Sequence, residues 1–159
     1  MKSIREYFNL KDDKIYPPDV YLGATLAKMK LESGKYCWNI LPEQYVKATV
    51  TTIEEDLPKS GKILPLKYVT PLSSNYSPWL EDSLDMMADD VQQYPELIGQ
   101  LSWAVDIGRL DILLETLMLS SYLMMPRVGH LEKTFHIFGY FKTHPKRKFG
   151  FNPAHPAIN

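Results

Sequence analysis

Adjacent carboxylates are the first feature of this sequence that could do chemistry. Asp89-Asp90 is the type of pair that holds Mg²⁺ in phosphoryl-transfer enzymes. Its setting argues for a plainer role. It lies in an acidic stretch just ahead of a helical pattern, where Asp is a routine N-cap residue. The histidines His130, His136, His144 and His155 all fall near the end of the chain. His130 and His136 are not at a helical i, i+4 spacing, and no HExxH accompanies them, so no metal is expected. His130 instead reads as a residue that caps or packs the start of its helix. The single cysteine, Cys37, excludes an internal disulfide and any multi-cysteine zinc site. Within an apolar strand it reads as a small buried hydrophobe. No GxSxG, GxxxxGK[ST] or GxGxxG occurs, and no cofactor is expected.

Two basic features remain. Arg109 and Asp111 flank Leu110 at a helix break, where Arg109 either pairs across the loop or touches phosphate. Lys142, Lys146, Arg147 and Lys148 form the one basic cluster, either a solvated face or a contact to a nucleic-acid backbone. The overall charge is −1, so this asymmetry matters more than the sum. Residues 71–90 hold Glu81, Asp82, Asp85, Asp89 and Asp90 and no Lys or Arg; residues 142–159 hold the four cations and no acid.

The elements that must position these groups follow from periodicity. With 159 residues, 45% hydrophobic and 23% charged, the chain has globular composition. No apolar run reaches the roughly 20 residues of a membrane span, and MKSIREYFNL lacks a secretory h-region. An intracellular protein, cytoplasmic or nuclear, without a membrane partner is expected. Residues 1–8 suit a short helix, stopped by Pro17-Pro18. Alternation from Val20 and again through Tyr36–Ile40 predicts a β-hairpin over about 20–40. Val46, Val50, Ile53 and Leu57 predict an amphipathic helix after Pro42. Residues 58–90, with four prolines and many serines, read as an extended acidic connector. Three apolar helical patterns follow, near 91–107, 112–125 and 129–143. Trp103, Leu117 and Phe138 are expected in their core. Phe149-Gly150-Phe151 suits a further strand, and the last residues a frayed tail. The fold class is therefore α+β, helix-dominant: a hairpin, a lone helix, a Pro-rich crossing and a three-helix bundle.

Longer strings carry a resemblance. Tyr94-Pro95-Glu96-Leu97-Ile98-Gly99-Gln100-Leu101-Ser102-Trp103-Ala104 resembles the Y-x-x-L-I-G-x-L-x-W-A segment of copia-type retrotransposon polyproteins. Ile107-Gly108-Arg109-Leu110-Asp111-Ile112 is similar to their [TI]-[GR]-R-P-D-I, with Leu110 at the usual Pro, which implies a looser turn. Leu119-Ser120-Ser121-Tyr122, Pro126-Arg127-Val128-Gly129-His130-Leu131 and His136–Lys142 are similar to the motifs that come next. Upstream, Tyr21-Leu22-Gly23 resembles the end of the reverse transcriptase palm, and Gln44-Tyr45-Val46 the opening of the helix after it. The family's catalytic Tyr-x-Asp-Asp is absent, as are the third palm aspartate and the ribonuclease H acids.

The resemblance implies a palm-end hairpin and helix over 1–57, the connector over 58–90, a thumb- or connection-like bundle over 91–143, and a basic link over 144–159. It implies a non-catalytic fragment that holds an RNA/DNA primer–template duplex, with the remaining palm, fingers and ribonuclease H parts as protein partners. Tyr21, Leu22 and Gly23 would face the primer end. Arg109, Arg127, Lys142, Lys146, Arg147 and Lys148 would contact phosphates. The alternative is a helical protein-interaction module, or a retroelement relic without nucleic-acid binding.

Overall fold

A computed structural model describes residues 19–57, 63–64 and 68–151. The expected helix at 1–8, the Pro17-Pro18 break, His155 and the tail after residue 151 lie outside these. Of the described residues, 51% are helical and 16% are in strands, an α+β fold in which helix dominates.

Four antiparallel strands form one sheet in the order β1-β2-β3-β4. β1 is Val20–Tyr21, β2 Ala24–Lys30, β3 Tyr36–Leu41 and β4 Phe149–Phe151. The hairpin is present, but the strand expected to run unbroken from Val20 is split. Leu22 and Gly23 take φ values of 51° and 90°, the paired left-handed geometry of a two-residue hairpin turn. Alternation conceals such a turn, because Leu22 keeps the apolar rhythm while its backbone reverses direction. β2 then pairs β3 from Thr25↔Leu41 to Lys30↔Tyr36. β4 returns from the far end of the described chain to pair Trp38↔Phe151 and Ile40↔Phe149.

The helices are α1 (Glu43–Asp56), α2 (Ala88–Asp106), α3 (Leu113–Ser120) and α4 (Val128–Thr143). The spacing read for α1 is the one that is buried: Val46, Val50, Ile53 and Leu57. This helix is not alone. Its apolar face shares one continuous core with Leu97, Ile98 and Leu101 of α2 and with Leu131, Phe138 and Phe141 of α4. The Tyr45 hydroxyl donates to the Gln100 carbonyl at 3.0 Å, tying α1 to α2. The connector contributes Leu64 and Leu72 to the same core, a short helical turn at Pro78–Leu80, and a single bridge from Asp85 to Arg127.

Two of the three expected core residues are not core. Phe138 is fully buried and meets Phe141 edge-to-face at 5.9 Å. Trp103 is 40% exposed and Leu117 is 57% exposed. In α3 the apolar residues spread over more than one side, so periodicity cannot choose a face. Packing buries the line Ile112, Thr116, Leu119 and turns Leu113, Leu114 and Leu117 outward. In α2 the buried stripe runs through Tyr94, Leu97, Ile98, Leu101 and Ala104, and Trp103 lies on its flank.

Phe138→Ala should lower stability by about 3–5 kcal/mol, since it empties a closed site. Leu117→Ala should cost about 0.5 kcal/mol or less, as expected for a solvent-facing side chain. Denaturant unfolding of the two variants against the parent chain checks both.

Candidate nucleic-acid interface

The residues singled out in the sequence separate into an exposed set and a structural set. Tyr21, Leu22 and Gly23 form the exposed β1–β2 turn. Gly23 approaches the first turn of α1, where a Cβ on it would lie 4.0 Å from that of Tyr45. Lys146, Arg147 and Lys148 form an exposed loop between α4 and β4. The ion pair with Lys47 and the charge of Lys146 both hold the Glu43 carboxyl below its ordinary range, so Lys146 also borders that first turn. Arg147 and Lys148 line a small cleft beside Gly108, Leu110 and Asp111. Lys148 rests its ammonium on the Met29 sulfur of β2 at 3.2 Å. The Tyr21-Leu22-Gly23 turn and the Lys146-Arg147-Lys148 loop therefore flank the same end of α1, although they are far apart in sequence.

Lys142 stands apart. It is on the last turn of α4 and pairs with Glu54 of α1. That bridge joins two helices and halves its value as a phosphate contact.

Arg109 leaves the phosphate set altogether. Its side chain is fully buried. Nε donates to Asp111 Oδ1 at 2.8 Å and Nη2 to Asp111 Oδ2 at 2.9 Å. The guanidinium lies 4.4 Å from the Phe141 ring centroid and 5.6 Å from that of Tyr140. The Tyr140 hydroxyl donates to Asp111 Oδ2 at 2.8 Å. A cation enclosed in this way cannot reach a ligand. It holds the turn that was expected to be loose at Leu110. Burial pushes the Asp111 carboxyl up, but the Arg109 hydrogen bonds and charge and the Tyr140 hydroxyl bring it below its usual range. Burial and the Asp111 carboxylate push the Tyr140 phenol up.

Arg127 is also structural. It precedes α4, is half-buried, and Nη1 donates to the Ser83 carbonyl at 2.9 Å. Its backbone N–H donates to His130 Nδ1 at 3.0 Å, so His130 caps α4 as its position suggested. His130 Nε2 lies 3.1 Å from the Pro78 carbonyl, and its ring stacks on Tyr122 at 4.3 Å. The Gly129 N–H donates to Ser83 Oγ at 2.8 Å, and the Glu81 carboxylate occupies the space that a Cβ on Gly129 would fill. The sequence offered one sign of this clasp, the Pro-Arg-x-Gly-His string at a helix start. It offered none of its partners, Glu81 and Ser83.

Asp89 and Asp90 are not the N-cap expected from sequence: Met87 holds that position, and the two acids lie at the second and third positions of α2, where their charge complements the helix dipole. Cys37 is buried in β3. His136 stacks on Tyr68 and reaches the Thr70 carbonyl at 3.2 Å. Among the described residues no group of three His, Cys, Asp or Glu side chains is placed to hold a metal ion, and no helix is long and apolar enough to cross a membrane.

The Asp111 carboxyl is depressed in the folded chain, so it stabilises the fold above the unfolded pKa of about 3.9, and that stability is lost as pH falls through the lower folded value. Asp111→Ala should cost about 3–5 kcal/mol at neutral pH, because it leaves the buried Arg109 charge unpaired. It should also flatten the acid limb of stability against pH. Urea unfolding of both proteins from neutral pH to pH 3 checks the two effects together.

Compared with known proteins, the chain matches no family model, no curated protein and no solved structure.

Proposed function

We propose that this chain is a non-catalytic, template–primer-holding part of a copia-type reverse transcriptase, acting inside the cell through phosphate contacts. The observation that carries the reading is the meeting of the Tyr21-Leu22-Gly23 turn and the Lys146-Arg147-Lys148 loop at one end of α1. The turn exposes two large apolar side chains beside a glycine, which leaves backbone accessible to a ligand. The loop supplies three cations with no acid in the segment around them. Such a site recognises backbone rather than base edges, which suits a duplex of any sequence. The Tyr-x-Asp-Asp that the resemblance expects before the hairpin is absent, so in this reading the catalytic aspartates come from elsewhere in the polyprotein. The remaining palm, fingers and ribonuclease H parts are the protein partners in this reading.

One observation favours the second reading, a helical protein-interaction module. Leu110, Leu113, Leu114 and Leu117 form an exposed row at helical spacing, an arrangement suited to a protein partner.

Fluorescence anisotropy with a labelled primer–template duplex across a salt series tests the first reading. With about three phosphates neutralised, a fourfold rise in salt should weaken binding roughly fortyfold. Lys146→Ala/Arg147→Ala/Lys148→Ala should flatten most of that slope. Equal slopes for the variant and the parent chain would remove the basic loop from the interface.

A further inference from the structure

The acidic connector and the turn after α3 enclose a groove of about 650 Å³, within the range of pockets that hold compact ligands. Its apolar lining comes from Trp79, Met86, Val91, Met124 and Met125. Met124 is 92% exposed, Met125 82% and Trp79 67%, an unusual density of large apolar side chains facing solvent. The floor is fixed. Pro78 and His130 are buried there, and the stack of His130 on Tyr122 and its contact with the Pro78 carbonyl hold them in place. The walls are adaptable, because methionine is unbranched and polarizable and repacks around different side chains.

The rim identifies the occupant. Asp85 lines the groove and is exposed, Glu81 borders it with its carboxylate turned onto Gly129 and accepting from the Ser83 N–H at 3.2 Å, and Asp82 and Asp89 are exposed on the same connector and the start of α2. The single Lys or Arg in the lining, Arg127, has its guanidinium engaged by the Ser83 carbonyl. We infer that the groove docks a basic amphipathic helix of a partner protein, with its apolar side chains against the methionines and its Lys or Arg residues on the acidic rim. The inference deepens the interaction-module reading by naming a partner chemistry, and it does not use the duplex-facing loop.

The test is anisotropy of a labelled peptide with leucines at helical spacing and lysines elsewhere, beside the same peptide with glutamates for lysines. The lysine peptide should bind about tenfold or more tighter than the glutamate peptide. Met124→Glu/Met125→Glu alters two highly exposed side chains and should weaken the lysine peptide about tenfold or more. General attraction to an acidic surface predicts the opposite sign, since the variant adds negative charge, and a tightening would overturn the inference. Leu114→Glu/Leu117→Glu should leave peptide binding within about twofold. Equal binding of the two peptides, or no binding of either, also overturns the groove. So does self-association of the chain that Met124→Glu/Met125→Glu abolishes, which would make a second copy the occupant. If the peptides fail while Leu114→Glu/Leu117→Glu dissolves an oligomer seen by light scattering, the groove falls and the interaction-module reading stands on α3 instead.

Discussion

A buried guanidinium is among the more demanding groups a small domain can enclose, since it must be desolvated and still find acceptors. Here Arg109 is held by both oxygens of Asp111, and Asp111 is held in turn by the Tyr140 hydroxyl. The first bond pair closes the turn between α2 and α3. The second fastens that turn to the last part of α4. The Phe141 ring lies against the cation, so the aromatic core and the ion pair form one unit. Moving any one of these residues would expose or orphan the others. The path of α4, and hence where its basic loop emerges and where β4 begins, follows from this arrangement.

Other polar and glycine residues of the helical part act as fasteners of the same kind. Tyr94 donates its hydroxyl to the Leu119 carbonyl at 2.8 Å. Arg109 and Asp111 lock a turn, and Arg127, Gly129 and His130 clasp the connector to α4. These residues secure architecture. The groups free to meet a partner lie mostly outside them, in the β1–β2 turn, the Lys146–Lys148 loop, the α3 leucines and the methionines after α3. Residues of this kind fix shape, and ligand chemistry has to be read from the surface.

Sequence reading succeeded where a single physical rule dominated. The apolar spacing in α1 had one possible buried face, and that face is buried. The strand at Phe149–Phe151 was legible for the same reason, whereas Asp89-Asp90 marked the start of α2 but not its cap, which is Met87. It failed where two arrangements satisfy the same pattern. A leucine in a tight turn keeps the strand rhythm, so the Leu22-Gly23 reversal was hidden. With apolar residues spread over more than one side of α3, the pattern cannot reveal that Thr116 faces inward and Leu117 outward. Arg109 looked as suited to phosphate as to Asp111, and the deciding factor was its complete enclosure by α4, a long-range fact. Of the candidate interface, the basic loop and the Tyr21-Leu22-Gly23 turn could be named from sequence, but their meeting at α1 could not.

The order in which the sheet is assembled has a consequence for synthesis. β1, β2 and β3 leave the ribosome early, yet the outer side of β3 is paired by β4, more than a hundred residues later. Until then β3 carries an open row of backbone donors and acceptors beside Trp38 and Tyr36, both exposed. An early meander of this kind can be captured by another chain's strand before its own arrives. The loop-closure entropy of bringing β4 home is met only after α4 has packed, so closing the sheet is a late, non-local step. A nascent chain paused before residue 149 would leave that edge of β3 open, so the three-residue β4 is the element that covers it.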